Sequence, residues 1–115
     1  MNKGKKVTKL KRSREQKEAL LRSLSNDLVM RGALRTTEKR AKALRPYVER
    51  LITKARRGDL ASRRYVAQVL EDKATSHLCD EVAPQYRERP GGYTRIIKAP
   101  QRESDQSKMA IIELV

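Results

Sequence analysis

Apolar residues recur at the three- and four-residue spacing of an amphipathic helix over much of the chain, starting at Arg14. Ser13 is a candidate N-cap for this first helix, and Gly32 predicts its end near Arg31. The face that this helix turns inward should comprise Leu20, Leu21, Leu24, Leu28 and Val29.

A second helix should start at a cap formed by Thr36 or Thr37 and stop before Gly58. Pro46 interrupts it, which predicts either a kink or a new helix start, because proline lacks a backbone donor and clashes with the preceding turn. The apolar face of this helix should comprise Ala41, Leu44, Val48, Leu51, Ile52 and Ala55.

Two shorter helical patterns follow the second helix. Asp59 is placed to cap the first of them, whose apolar residues are Leu60, Val66, Val69 and Leu70. Asp72 is placed to cap the other, which should end before Pro84. Its inward residues should be Ala74, Leu78, Cys79 and Val82.

The apolar period changes to two near the C-terminal end, which is typical of half-buried strands. Turn residues at 90–92 precede one strand around Ile96, and a second strand alternates through residues 110–114. The two strands form a predicted hairpin around a polar loop at residues 99–108, and residues 33–36 are a candidate third strand. One face of the hairpin should be apolar, and the other should carry Tyr93, Arg95 and Glu113. These patterns predict an α+β fold of about four helices packed on a small three-stranded antiparallel sheet.

Charge changes this picture at the N-terminal end. Charged residues make up 37% of the chain, which has a net charge of +14, and no acid precedes Glu15. We therefore predict a disordered basic arm at residues 1–13, followed by a single α+β domain at residues 14–115. A polyanion is the natural partner of such an arm, and seven phosphate contacts would give a salt slope of about −6. The seven cations that we expect to contact phosphate lie in the first fourteen residues, and they are Lys3, Lys5, Lys6, Lys9, Lys11, Arg12 and, just after the arm, Arg14.

Two further sets of residues suit nucleic-acid binding. At the start of the second helix, hydroxyls and cations surround a helix N-terminus, where an ordinary cap is the alternative to a phosphate site. The members of this set are Arg35, Thr36, Thr37, Lys39, Arg40 and Lys42. On the C-terminal hairpin, an aromatic ring beside an arginine suits RNA contact, with packing of the ring as the alternative. The members of that set are Tyr93, Thr94 and Arg95.

The sequence lacks a constellation for catalysis. His77 and Cys79 are the single histidine and the single cysteine, and residues two apart on a helix do not face each other. Four nearby carboxylates fit a solvated helix face, and they are Glu71, Asp72, Asp80 and Glu81. We therefore expect a protein that is not an enzyme and that uses no cofactor or metal. The lone cysteine fits a reducing compartment.

Two C-terminal segments resemble a known family, and they are Gly91-Gly92-Tyr93-Thr94-Arg95-Ile96 and Met109-Ala110-Ile111-Ile112-Glu113-Leu114-Val115. The chain resembles the bacterial-type large-subunit ribosomal protein family number seventeen, and residues 19–24, 35–42 and 49–53 resemble its helical half. This resemblance implies an α+β protein bound to large-subunit ribosomal RNA near the nascent-chain exit region. It also adds Arg22 to the candidate RNA contacts. Two positions depart from the family pattern, since residues 15–18 replace a basic segment and Ser104 replaces a loop glycine.

We therefore predict a structural constituent of the large ribosomal subunit, located in the cytoplasmic ribosome, that clamps large-subunit rRNA through phosphate and shape contacts. Neighbouring large-subunit ribosomal proteins are the other expected partners, with no membrane and no small-molecule substrate. Two alternatives belong to other classes. A DNA-binding regulator would dimerise and place one helix in a major groove, and an rRNA-processing enzyme would need an active site.

Overall fold

The predicted α+β class is confirmed in the computed structural model, which describes the backbone of residues 3–115 and the side chains of residues 13–115. The helices are α1 (Lys3–Arg31), α2 (Glu38–Ala55), α3 (Leu60–Ala67) and α4 (Asp72–His77). The strands are β1 (Ala33–Thr37), β2 (Thr94–Ala99) and β3 (Met109–Leu114). A π-helical turn (Leu78–Val82) and a 3₁₀ turn (Ala83–Tyr86) follow α4.

Helix α1 is longer than its apolar pattern predicts. It begins at Lys3, so Ser13 lies inside the helix and does not cap it, which corrects the predicted start at Arg14. Lysine and arginine are good helix formers, and no proline follows Lys3 within this run, so the apolar pattern is a poor guide to where the helix starts. We predicted that residues 1–13 are disordered. Of these residues, only Ser13 has a described side chain, so the prediction for residues 1–12 lies outside the described side chains.

The end of α1 and the sheet agree with the sequence patterns. Gly32 has φ +82° and its N–H donates to the carbonyl of Leu28 at 2.7 Å, so α1 ends as predicted. The sheet has the order β1-β3-β2, with β3 antiparallel to both neighbours. The predicted hairpin and the third strand are therefore confirmed. Ile112 pairs with Leu34 on one side and with Ile96 on the other, and this face of the sheet packs against the core.

Helix α2 supplies the largest part of the core. Its cap is Thr37, whose Oγ1 accepts a hydrogen bond from the N–H of Arg40 at 3.3 Å. All six residues predicted for its apolar face are buried. The helix continues through Pro46, so the alternative of a new helix start there is wrong. Leu44 and Val48 on either side of the proline are fully buried, and their packing holds both halves of the helix on one core.

The two short helices confirm one predicted cap and differ from the sequence predictions at Leu60 and at the start of α4. Asp59 caps α3 as predicted, since its carboxylate accepts from the N–H of Ser62 at 3.0 Å. Leu60 starts this helix and is 63% exposed, so its predicted inward position is wrong. The cap position of α4 is Glu71 and not Asp72, because the N–H of Glu71 donates to the Asn26 side chain of α1 at 2.9 Å and fixes the entry of the chain.

Candidate nucleic-acid interface

Exposed cations from three parts of the chain converge where α2 begins, and we call this surface the basic corner. The N–H of Glu38 donates to the carbonyl of Lys108 at 2.9 Å, which holds the segment leading into β3 against the start of α2. Thr36 and Lys98 flank Ala110 across the sheet, which brings the end of β2 to the same place. The basic corner comprises Arg35, Lys39, Arg40, Lys42, Lys98 and Lys108, all of them exposed.

The sequence patterns predicted four of these cations and missed two. Lys98 and Lys108 are far from α2 along the chain, and only the pairing of β3 with both other strands brings them to its start. The signal was present in the candidate third strand at residues 33–36. Pairing that strand with the C-terminal one in antiparallel register would have placed residue 108 beside residue 38.

Glu38 is the carboxylate at the basic corner, and its titration reflects the cations around it. The pKa of Glu38 lies below its ordinary value mainly because Lys42 donates a hydrogen bond to its carboxylate and adds a positive charge. Lys42 Nζ lies 3.0 Å from Glu38 Oε1. The charges of Lys108 and Lys98 lower this pKa further. One carboxylate among six cations leaves a local excess of positive charge, which favours a polyanion.

Two of the backbone N–H groups at the start of α2 already donate hydrogen bonds within the protein. The N–H of Glu38 is bonded to Lys108, and the N–H of Arg40 is bonded to Thr37. Thr37 therefore acts as an ordinary cap, and Thr36 is buried with only 6% of its surface exposed. An anion at the basic corner would thus be attracted mainly by side-chain cations, with the helix dipole as a smaller contribution.

Tyr93 and Thr94 lie in the core, which corrects the prediction that Tyr93 shares an exposed face with Arg95. Tyr93 is fully buried, and its ring packs edge to face on Tyr86 with the ring centroids 5.2 Å apart. Its hydroxyl accepts a hydrogen bond from Thr53 at 3.4 Å. The N–H and hydroxyl of Thr94 both donate to one carboxylate oxygen of Glu49, at 3.3 and 3.2 Å.

The error at Tyr93 has a local cause. Strand β2 begins at Thr94, so the alternation of the strand does not extend to Tyr93. Gly92, with φ +67°, turns the chain immediately before it. The carbonyl of Tyr93 accepts from the N–H of Val115 at 2.9 Å, which holds this residue beside the end of β3. Both side chains are unavailable for RNA contact in this structure, as is Thr36.

Arg95 remains a candidate contact on the outer face of the sheet. Its side chain is 63% exposed and pairs with Glu113 of the neighbouring strand. Arg35 lies on the same face, and its guanidinium donates to the carbonyl of Pro100 at 3.5 Å. Both arginines are therefore held on the sheet while most of the Arg95 guanidinium faces solvent.

Two of the RNA contacts predicted on α1, Arg14 and Arg22, belong to the part of the helix whose side chains the structure describes. Arg14 is exposed, and Arg22 lies 3.9 Å from Glu18 in a pair whose two side chains are about half exposed. Glu18 also accepts a hydrogen bond from the hydroxyl of Tyr47 at 3.1 Å, so this acid of α1 is tied to α2. The cations at Lys3, Lys5, Lys6, Lys9, Lys11 and Arg12 lie outside the described side chains.

The residues considered for catalysis have structural partners. Burial raises the pKa of the Cys79 thiol, which is the opposite of what a nucleophilic cysteine needs. His77 Nδ1 lies 2.8 Å from Glu81, one helical turn away. Arg63 pairs with Asp80 at 2.7 Å, and its hydrogen bond is the main reason that the pKa of Asp80 lies below its ordinary value. Among residues 13–115, no three His, Cys, Asp or Glu side chains are grouped so as to hold a metal ion.

Each helix in the described part of the chain falls short of the length or the apolar content that a bilayer crossing requires.

Comparisons with known proteins agree with this picture of a small basic α+β domain. The family model described as "Ribosomal protein L17" matches residues 20–115. The chain is 48% identical to the large ribosomal subunit protein bL17 of an Exiguobacterium species, over 94% of this chain and 97% of the relative. It is 50% identical to the protein of the same name from Gemmatimonas aurantiaca, over 92% and 91%. The corresponding values for Akkermansia muciniphila are 46%, 100% and 85%.

Proposed function

Since the chain belongs to the ribosomal protein L17 family, we propose that it is a non-catalytic structural constituent of the large ribosomal subunit. In this role it binds large-subunit rRNA in the cytoplasmic ribosome and holds RNA segments together. Neighbouring ribosomal proteins are its other partners.

The basic corner is the observation that best supports the RNA-binding part of this proposal. Its six cations come from β1, α2, the end of β2 and the segment before β3. Lys42, Lys98 and Lys108 act together on the Glu38 carboxylate, while Arg35 extends the positive charge to the outer face of the sheet. Lysine and arginine contacts to phosphate supply affinity and little sequence discrimination. Specificity then comes from RNA shape, because only an RNA whose phosphates match this arrangement can contact all of the cations.

The mechanism combines a preformed platform with the basic N-terminal segment. The core of α2 and the sheet keeps Arg35, Lys39 and Arg40 at fixed positions before binding, so little conformational entropy is lost there. Residues 1–13 carry six further cations and bind phosphates between RNA helices during assembly.

Sedimentation of ribosomes tests the proposal directly. A lysate is separated on a density gradient after a high-salt wash, and this protein is quantified against known large-subunit proteins. Stoichiometric amounts in the large-subunit peak are expected. Recovery at the top of the gradient or with the nucleoid would contradict the proposal and favour the DNA-binding alternative.

Binding experiments separate the RNA and DNA alternatives. Structured large-subunit rRNA and duplex DNA of equal length are compared with the purified protein at the same salt concentration. We expect tighter binding to the rRNA, because the cations of the basic corner come from several elements and no single helix presents them all. Tighter binding to the DNA would contradict this.

Deletion of residues 1–13 tests the contribution of the basic segment. The salt slope of rRNA binding should become shallower by about 5, since each of the six lost phosphate contacts contributes about 0.9. The thermal unfolding midpoint is measured in parallel and should change little. An unchanged slope would show that these cations do not contact phosphate.

A further inference from the structure

A groove between α1, α2 and the end of α3 combines an apolar lining with exposed aromatic and cationic side chains. We call it the Tyr65 groove. Its apolar lining is formed by Leu21, Leu51 and Val69. Tyr47 and Tyr65 also line it. This surface lies outside the basic corner, and none of the RNA contacts predicted in the folded domain except Arg14 belongs to it.

Tyr65 differs from the other three tyrosines in its exposure. Tyr86 and Tyr93 are buried against each other in the core. Tyr47 is half-buried, with its hydroxyl bonded to Glu18. Tyr65 is 43% exposed, which makes it the most exposed tyrosine in the described part of the chain. A planar ligand that stacks on this protein without unfolding it would therefore use Tyr65.

The charges around the groove indicate which ligand it would take. Arg14, Lys17 and Arg50 line it together with a single acid, Glu18. The ammonium of Lys54 lies over one face of the Tyr65 ring, 5.4 Å from its centroid, so a stacked base would take the other face. An exposed ring in a groove that several cations line matches the two parts of a nucleotide, because the base stacks on the ring while the flanking phosphates contact the cations.

We propose that the Tyr65 groove binds one unpaired base of a single-stranded RNA segment, stacked on the Tyr65 ring, with Arg14, Lys17 and Arg50 on the flanking phosphates. The proposal rests on the proposed function and adds a second RNA contact to it. The two contacts differ in kind. The basic corner reads backbone charge, whereas the Tyr65 groove needs a base that is free to leave its helix.

The net charge of the lining favours RNA over an apolar protein segment as the occupant. Three cations against one carboxylate would remain partly unpaired beneath an apolar side chain, which carries an energetic cost. Phosphates on either side of a bound base neutralise these cations. The sequence patterns did not predict this site, because Tyr65 lies in a short helix and not on a strand that pairs an aromatic with an arginine.

A base-by-tyrosine cycle tests the proposal. The probe is a seven-nucleotide RNA that carries one adenine at its centre and abasic riboses elsewhere, compared with the fully abasic RNA. Wild-type protein should prefer the adenine-bearing RNA by about 5- to 150-fold, the range expected for one stacked base. The preference should vanish in Tyr65→Ala and persist in Tyr65→Phe, which keeps the ring and removes only the hydroxyl.

The outcomes separate this proposal from the proposed function. An equal preference in wild type and Tyr65→Ala, or no preference in wild type, would overturn base stacking at the groove. Binding to intact large-subunit rRNA, measured for the same samples, would then still stand and support the proposed function alone. Loss of wild-type binding to the rRNA as well would overturn both.

Discussion

The start of α2 and the start of β2 carry similar residues, and in both places the cations are separated from the hydroxyl and aromatic groups. Both were predicted to contact RNA, and both combine a hydroxyl residue with arginine. At the start of α2, Lys39 and Arg40 are exposed. At the start of β2, Tyr93 and Thr94 are buried and only Arg95 faces solvent. In both places the cations lie on the surface, while Thr36, Tyr93 and Thr94 are buried and Thr37 caps α2.

The difference follows from what each group requires when it is buried. A hydroxyl or a phenol needs one or two hydrogen bonds, and Glu49 and Thr53 provide them for Thr94 and Tyr93. A buried guanidinium or ammonium group needs a carboxylate partner and hydrogen-bond acceptors for its remaining N–H groups, so it is rarely buried. A lysine or arginine in a basic chain therefore predicts a surface position better than a tyrosine or threonine does.

Tyr93→Ala should produce the largest loss of stability among these variants. It tests whether Tyr93 is a core residue, as the structure indicates, or an RNA-binding residue. Removing a fully buried ring should lower the free energy of unfolding by about 3–5 kcal/mol. Tyr93→Phe should cost less than about 1.5 kcal/mol, because it loses one weak hydrogen bond and keeps the packing. Urea unfolding measures both. A stable Tyr93→Ala protein with weakened rRNA binding would contradict the assignment.

The double variant Lys39→Gln and Arg40→Gln should show the opposite pattern at the start of α2. The salt slope of rRNA binding should become shallower by about 2, because two phosphate contacts are lost. The unfolding free energy should change little, since both side chains are exposed. Lys73→Gln on α4 is the matched control, being an exposed lysine outside the basic corner. Equal slopes in both variants would argue against a specific basic corner.

Arg95→Ala should give a smaller loss. One phosphate contact fewer should make the salt slope shallower by about 0.9. The pair with Glu113 is largely exposed on the arginine side, so its loss should cost at most about 1 kcal/mol of stability. A collapse of the thermal midpoint would instead mark Arg95 as structural.

Glu38→Gln should have the smallest effect of these variants, and it should strengthen rRNA binding instead of weakening it. Removing the carboxylate of the basic corner should strengthen rRNA binding about two- to fivefold at low salt. Gel shifts at two salt concentrations measure this, and Glu103→Gln in the exposed loop after β2 is the control. Weaker binding by Glu38→Gln would mean that the cations near it do not meet phosphate.

The pH dependence of this variant follows from the lowered pKa of Glu38. A carboxyl whose pKa is lower in the folded state than in the unfolded state stabilises the fold above its unfolded value, and this stabilisation is lost as pH falls through the folded value. Wild type should therefore be slightly more stable than Glu38→Gln at neutral pH. The difference should shrink below about pH 4.5, the ordinary value. A constant difference between pH 7 and pH 3 in urea unfolding would contradict this.

The sequence by itself determined the secondary structure of the core and its fold class. The predicted apolar face of α2 is buried at every position, and the alternation of the C-terminal strands marks the correct inner face. These patterns are local, since each depends on the period of one helix or one strand. The surface positions of lysines and arginines could also be predicted locally, because the charge of each side chain keeps it in solvent.

Only the tertiary structure decided which residues meet. The register of β1, β3 and β2 brings Lys98 and Lys108 to the start of α2. A turn at Gly92 directs Tyr93 inward, while the packing of α3 against α2 leaves Tyr65 exposed beside Arg50. These outcomes depend on contacts between residues tens of positions apart, which no single period along the chain encodes.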